Sequence, residues 1–259
     1  MTLHVEQSGL GPDLVLLHGW GLHGGVFAAL AEQLAPRYRV TLIDLPGHGR
    51  SPPPIHDFDL AAVTETIAAA APPRAIWLGW SLGGMIAAHM ALSAPARVDQ
   101  LILVASSPRF VTAPDWPHAM DPAVLAGFAR ALEQDYRATL ERFLSLQVTT
   151  GSTEGRETLR GLRAALLQYT PALPALRAGL EILRGADLRP RLAALSRPTQ
   201  LILGGRDMLV PVSVGAALRQ RAPAIQIDVL SDAGHAPFLS HPQEFLATLT
   251  EFLEHPHDG

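Results

Sequence analysis

Residues 77–84 read Trp77-Leu78-Gly79-Trp80-Ser81-Leu82-Gly83-Gly84. One serine stands between two bulky residues and is fenced by glycines. A buried strand has no use for that hydroxyl, and a helix start has little use for so many glycines. Gly79-x-Ser81-x-Gly83 is the pattern of a strained strand-to-helix turn that holds a serine hydroxyl out as a nucleophile. Glycine is needed there because neighbouring backbone passes close to the bent residue. The pattern alone is weak, since chance supplies roughly 0.1 matches in a chain of this length. Its surroundings strengthen it. Ala75–Gly79 reads as a strand and Ser81–Ser93 as a helix that stops before Pro95, so the serine falls at the junction the mechanism requires. The competing reading is a serine that only N-caps the helix.

The first hundred residues alternate short apolar runs with helical patterns. Leu14–Leu17, Tyr38–Leu45 and Val98–Ala105 read as strands. Val26–Leu34 reads as a helix, and Asp59 is placed to N-cap another that runs to about Ala71. Strand and helix alternating at this spacing predict βαβ units on a mostly parallel sheet, an α/β fold. From about Arg109 to Arg189 only helical patterns remain: Pro122–Glu133, Tyr136–Gln147, Glu154–Gln168 and Pro174–Arg184. The alternation then resumes with Thr199–Gly204 (strand), Val212–Gln220 (helix), Ile225–Leu230 (strand) and Pro242–Glu254 (helix). The expected organisation is a core of residues 1–108 and 191–259 carrying a helical insert at 109–190.

Composition bounds what such a chain does. The 259 residues suit one domain with a large insertion, and 48% hydrophobic against 17% charged residues mark a well-cored globular protein. No cysteine is present, which excludes disulfides, thiolate metal sites and a cysteine nucleophile. The opening residues lack a basic stretch followed by an apolar run, and no apolar run approaches the roughly 20 residues of a membrane span. A cytoplasmic enzyme is expected. The net charge of −4 excludes a strongly basic nucleic-acid binder. All 20 basic residues are arginine, and 11 of them lie between Arg109 and Arg191 against 9 acidic residues. The insert is therefore the relatively basic part of an acidic chain.

A serine hydroxyl is a poor nucleophile until a histidine takes its proton and a carboxylate orients that histidine. On a turn of this kind the acid and then the histidine follow the serine in the chain. His235, in Asp232-Ala233-Gly234-His235-Ala236-Pro237-Phe238, lies just after the last strand and is the expected base. His241 flanks the final helix, and His255 and His257 read as tail residues. Asp207 follows the penultimate strand directly and is the expected acid; its alternative is a turn or cap aspartate. Asp228 lies within a strand, and Asp232 is too near His235 to reach the far ring nitrogen easily. Acyl transfer also needs donors for an oxyanion. The N–H of Leu82, after the nucleophile, is one, and the loop His18-Gly19-Trp20-Gly21 is placed to supply the Trp20 N–H as the other. His18 precedes Ser81, the wrong order for the base, and is expected to shape that loop.

His18-Gly19-Trp20-Gly21, Asp44-Leu45-Pro46-Gly47-His48-Gly49-Arg50-Ser51, Gly79–Gly84, Asp207 and Gly234-His235 together resemble the α/β-hydrolase superfamily over essentially the whole chain. Finer text is similar to one family within it. Leu16–Leu22, Ala75–Gly84, Val104–Pro108 and Asp232–Phe238 resemble the pimeloyl-[acyl-carrier protein] methyl ester esterases of biotin biosynthesis. So do Val124–Phe128 and Glu141–Gln147 inside the insert, where sequences diverge freely and a match is more specific.

The resemblance implies a serine carboxylesterase that removes the methyl ester from pimeloyl bound to an acyl carrier protein. Ser81, Asp207 and His235 would be the triad, Trp20 and Leu82 the oxyanion donors, and the insert a lid. Phe143, Leu144, Ser145, Leu146 and Gln147 would line the acyl channel, although helical spacing makes several of them apolar in any case. Arg142 matches a carrier-contacting position in place, the preceding basic position is shifted to Arg137, and Arg156 and Arg160 align loosely. Arg156, Arg160 and Arg163 share one helix face, with Glu157 expected to turn well away from it. No metal and no organic cofactor are implied, nor a nucleic acid or membrane partner, and a monomer is expected. Rival readings are a broad carboxylesterase or C–C bond hydrolase acting on a free small molecule, and a non-catalytic binding protein of the same fold.

Overall fold

The computed structural model describes residues 2–53, 59–148 and 153–255. Among these residues seven strands form one sheet: β1 (Val5–Ser8), β2 (Asp13–Leu17), β3 (Arg39–Ile43), β4 (Ala75–Trp80), β5 (Val98–Val104), β6 (Thr199–Gly204) and β7 (Gln226–Leu230). Their spatial order is β1-β3-β2-β4-β5-β6-β7. Only β1 runs antiparallel, against β3. The α/β fold with a mostly parallel sheet is therefore as expected. β4 and β6 are buried at all six positions, as parallel strands covered on both faces must be, and this is why they read as continuous apolar runs. Sequence reading missed β1. Its residues Val-Glu-Gln-Ser are all exposed on an edge, so they show neither an apolar run nor an alternation.

The covering helices begin with α1 (Ala28–Leu34), which is preceded by a 3₁₀ turn at Gly24–Phe27, so the helix expected from Val26 starts two residues later. α2 (Leu60–Ala70) is capped as predicted, with Asp59 Oδ1 accepting the Ala62 N–H at 2.9 Å. α3 (Leu82–Ser93) lies directly behind the sheet; every residue from Leu82 to Leu92 except His89 is buried. Beyond the insert come α8 (Ser213–Arg221), the short α9 (Pro237–Ser240) and α10 (Pro242–Glu254); His257 lies outside the described residues.

Among the described residues four α-helices, α4 (Pro122–Gln134), α5 (Tyr136–Leu146), α6 (Thr153–Gln168) and α7 (Leu173–Gly185), and then a 3₁₀ turn at Arg189–Ala194 separate β5 from β6 in the chain. The segment before them is not helical as expected, since Val111 bridges Met120 and Ala113 bridges Trp116. Backbone contacts seat this insert on the sheet's carboxyl edge. Ala172 N–H donates to Gly47 O at 2.8 Å beyond β3, Leu188 N–H to Pro108 O at 2.9 Å beyond β5, and His235 N–H to Gln147 O at 3.0 Å beyond β7. In open α/β sheets that edge is where ligands bind. Where the insert leaves and rejoins the core, Asp187 accepts from Arg109 at 2.9 Å and from Arg189 at 2.6 Å. Those bonds, Arg189's first, hold the Asp187 carboxyl down at about 2. Trp116 is buried, with the Arg189 and Arg221 guanidinium groups 5.4 and 5.2 Å from its ring centroid.

Candidate active site

Ser81 sits between β4 and α3 with φ 55° and ψ −115°, one of two non-glycine residues with positive φ among those described. An L-residue pays for that conformation, and the surroundings impose it. A Cβ on Gly79 would overlap the Gly83 carbonyl, and one on Gly83 would overlap the carbonyls of Leu17 and His18. Strand, turn and helix thus touch backbone to backbone, which only glycine permits. Ser81 occupies the N-cap position of α3, yet its side chain makes no capping bond. That weighs against the capping reading. Its carbonyl is held by Ser106 Oγ–H at 2.8 Å and its N–H donates to Val104 O at 2.9 Å.

Asp207 and His235 meet across the loops that follow β6 and β7. His235 Nδ1 lies 2.7 Å from Asp207 Oδ2, with both side chains buried. The other carboxylate oxygen, Oδ1, accepts the N–H groups of Leu209 at 2.7 Å and Val210 at 3.0 Å. Asp207 is therefore a turn aspartate as well as the partner of His235. Asp232 is exposed and ion-paired with Arg206, while Asp228 accepts from Gln200 and Gln226. Neither is bonded to His235. With Nδ1 facing the carboxylate, His235 Nε2 is buried and has no partner among the described residues. Ser81 Oγ and His235 Nε2 are not hydrogen-bonded to each other; such bonds are commonly loose without substrate. Trp80, the residue before Ser81, donates its Nε1–H to His235 O at 2.7 Å and so ties the base loop to the turn.

The first loop is organised by histidines. His18 Nε2 accepts the Leu45 N–H at 2.9 Å, which places its proton on Nδ1, and Nδ1 donates to Gly19 O at 2.8 Å. In a trans peptide the Gly19 carbonyl and the Trp20 N–H point opposite ways, so fixing one aims the other. Burial pushes the His18 pKa well below the usual imidazole range. His18 is thus a neutral strut with both ring nitrogens engaged, as expected of a loop-shaping residue. Its neighbour His48 is likewise buried, which lowers its pKa to about 4. A Cβ on Gly19 would lie 3.4 Å from Ser81 Cβ, so this loop runs against the turn. The Trp20 indole donates to Leu176 O on α7 at 2.8 Å and meets Phe143 of α5 edge-on at 4.8 Å.

Of the five residues expected in an acyl channel, Phe143 reaches Trp20, and Gln147 holds the His235 N–H through its carbonyl. Both polar atoms of the buried Gln147 side chain lack a partner among the described residues. Leu144 is buried, Leu146 half-buried, and Ser145 Oγ–H turns back to Glu141 O at 3.0 Å. The carbonyls of Leu176 and Gln147 are contacts no sequence pattern announces, because any residue supplies a carbonyl. Arg137, Arg142, Arg156 and Arg160 are all exposed on α5 and α6. One expectation is overturned here: Glu157 lies 3.7 Å from Arg160, because positions three apart on a helix are neighbours. Among the described residues no His, Asp or Glu cluster is arranged to hold a metal ion, and no helix is long and apolar enough to cross a membrane.

The family model of the alpha/beta hydrolase fold matches residues 12–242. A protein of Xanthomonas campestris called pimeloyl-[acyl-carrier protein] methyl ester esterase is 47% identical over 97% of this chain and 98% of its own. One of the same description from Stenotrophomonas maltophilia is 47% identical over 99% of both chains. The chain belongs to the α/β hydrolase family, among these esterases. An esterase from Exiguobacterium antarcticum, 22% identical, superposes with a TM-score of 0.88 over 98% of this chain and 96% of its own, which is likeness of fold. For an α/β hydrolase, a serine on a strained turn and an Asp–His pair at the same sheet edge are suited to acyl transfer.

Proposed function

We propose that this α/β hydrolase is a serine carboxylesterase that cleaves the methyl ester of pimeloyl attached to an acyl carrier protein. The observation that carries the reading is the 47% identity, over 98% of its length, to an esterase of that description. The buried His235–Asp207 bond beside a serine at φ 55° supports the chemistry.

In this mechanism Ser81 Oγ attacks the ester carbonyl carbon as His235 Nε2 takes its proton, and Asp207 steadies the imidazolium. The tetrahedral oxyanion is held by the N–H groups of Trp20 and Leu82. Collapse breaks the bond to the methoxy oxygen, which leaves as methanol with the proton from His235. Water then attacks the acyl-enzyme, again giving a proton to His235. Ser81 departs with that proton, and the free terminal carboxylate remains on the carrier. Phe143–Gln147 would line the acyl channel under a lid formed by α4–α7. Arg137, Arg142, Arg156 and Arg160 would meet the acidic carrier. The enzyme would act as a cytoplasmic monomer without a cofactor.

The test is incubation of the purified protein with the carrier-bound methyl ester, followed by mass spectrometry of the carrier. Loss of the methyl group, with the thioester intact, is expected. Parallel complementation should restore growth without biotin to a strain lacking its demethylating esterase. An enzyme that cleaves short free esters yet leaves the carrier-bound methyl ester whole would instead be a broad carboxylesterase.

A further inference from the structure

Gly179 stands in the interior of α7, on its buried face. Glycine weakens a helix interior relative to alanine, so its use there calls for a reason. At two other helix-interior glycines of the insert, Gly127 and Gly161, an added Cβ would meet nothing within 4 Å. Gly179 differs. A Cβ there would lie 2.6 Å from Trp20 Cδ1, 3.1 Å from Trp20 Nε1 and 3.4 Å from Leu82 Cδ2. These are the side chains of the two residues whose N–H groups are assigned to the oxyanion. Neither has room to retreat. Trp20 is 1% exposed, bonded to Leu176 O and set edge-on against Phe143, and Leu82 is 2% exposed at the start of α3.

We propose that Gly179 is a positioning residue, a notch in the insert that seats Trp20 and Leu82 together and so sets the spacing of the two oxyanion donors. The inference rests on the oxyanion assignment made above. A methyl group in the notch pushes the indole, and with it the Gly19–Trp20 peptide, off its position. The substrate's ground state hardly feels this, because the donors act on the charge that develops in the transition state. The insert is then part of the machinery for short esters too, and not only a cover for long ones.

The test compares Gly179→Ala, Trp20→Ala, their combination and Gly127→Ala on a p-nitrophenyl ester. Gly179→Ala is expected to lower kcat about tenfold or more with KM within about twofold. Its affinity for a short alkyl boronic acid, which forms a tetrahedral anion on Ser81, should fall with kcat. Alanine at 20 keeps the backbone N–H and removes the indole, whose Cδ1 and Nε1 are the atoms that clash. The combined variant should therefore turn over within about threefold of Trp20→Ala alone, a non-additivity that loose packing would not produce. Gly127→Ala should retain full kcat. A wild-type kcat in Gly179→Ala, or a loss just as large in the Trp20→Ala background, overturns the proposal. Should Gly179→Ala alone fail to fold, a soluble and active combined variant supports the notch, and an insoluble one overturns it. Ser81→Ala run alongside separates the two levels. Activity in Ser81→Ala breaks the underlying reading, whereas an inactive Ser81→Ala beside a fully active Gly179→Ala removes only the role of Gly179.

Discussion

Asp207 Oδ2 holds His235 Nδ1 at 2.7 Å while Asp207 Oδ1 holds two backbone N–H groups. The two oxygens are therefore not equivalent, and this makes Asp207→Asn a sharp probe. The Leu209 and Val210 N–H groups require an oxygen, so the asparagine amide must turn its NH₂ toward His235. That moves the imidazole proton to Nε2, which then cannot accept from Ser81. Turnover of any ester should fall by up to about 10⁴-fold with the fold retained. Asp232→Asn, at an exposed ion pair with Arg206, should stay within about twofold of wild type in the same kinetic assay. The reverse ordering would transfer the orienting role to Asp232.

Ser81 combines reactivity with strain, and substitution separates them. Ser81→Ala should lower kcat by roughly 10³-fold or more, because the covalent route is lost while the oxyanion donors survive. Ser81→Gly should be equally inactive but more stable than Ser81→Ala by about 1 kcal/mol, since only glycine adopts φ 55° freely. Urea unfolding of the two variants side by side reads this difference. Equal stabilities would mean that the turn carries no strain.

Most of this site was legible in the chain, for a physical reason. The chemistry needs particular side chains at element junctions, and junctions leave glycines, prolines and ends of apolar runs behind them. Gly79, Gly83 and Asp59 announced themselves in that way. β1 did not, because an exposed edge strand has no hydrophobic pattern to show. The carbonyls of Gln147 and Leu176 did not either, because backbone atoms carry no sequence signal. Gly179 left a trace, a lone glycine on the apolar face of a predicted helix, whose meaning needed Trp20 in place. Glu157 stands one position from Arg156 but three from Arg160, and three apart on a helix makes neighbours, so its distance from Arg156 said nothing of Arg160.

Acid should unfold this protein partly through His48. Burial holds its folded pKa at about 4, below the ordinary imidazole value. Between about pH 6.5 and 4 the unfolded chain binds a proton that the folded chain does not, so stability falls as pH is lowered through that window and is complete above it. The span corresponds to about 3 kcal/mol for this group, and His18 acts in the same direction. His48→Gln removes the titration at 48. The stability difference between wild type and this variant, from urea midpoints, should therefore favour wild type more at pH 7 than at pH 4.5. A difference independent of pH would show that His48 titrates in the fold as it does in the unfolded chain.

Arg156 and Arg160 lie on α6, one turn apart and both exposed, and Arg137 on α5 lines a groove with Arg163 of α6, Tyr136 and the exposed Leu167. On a chain of net charge −4 this basic face of the insert would draw an acidic partner to the sheet edge where the site lies. Arg156→Glu with Arg160→Glu should raise KM for the carrier-bound methyl ester, most strongly at low salt where charges are least screened. Hydrolysis of a p-nitrophenyl ester should hardly change. The Glu157–Arg160 pair adds a reciprocal arm. Glu157 would compete with a carrier docked there for Arg160, so Glu157→Gln should lower KM for the carrier-bound ester and leave the free ester alone. Equal losses on both substrates in the double Arg variant would assign these arginines to the stability of α6. An unchanged KM for the carrier-bound ester in every variant would place the docking surface elsewhere on the molecule.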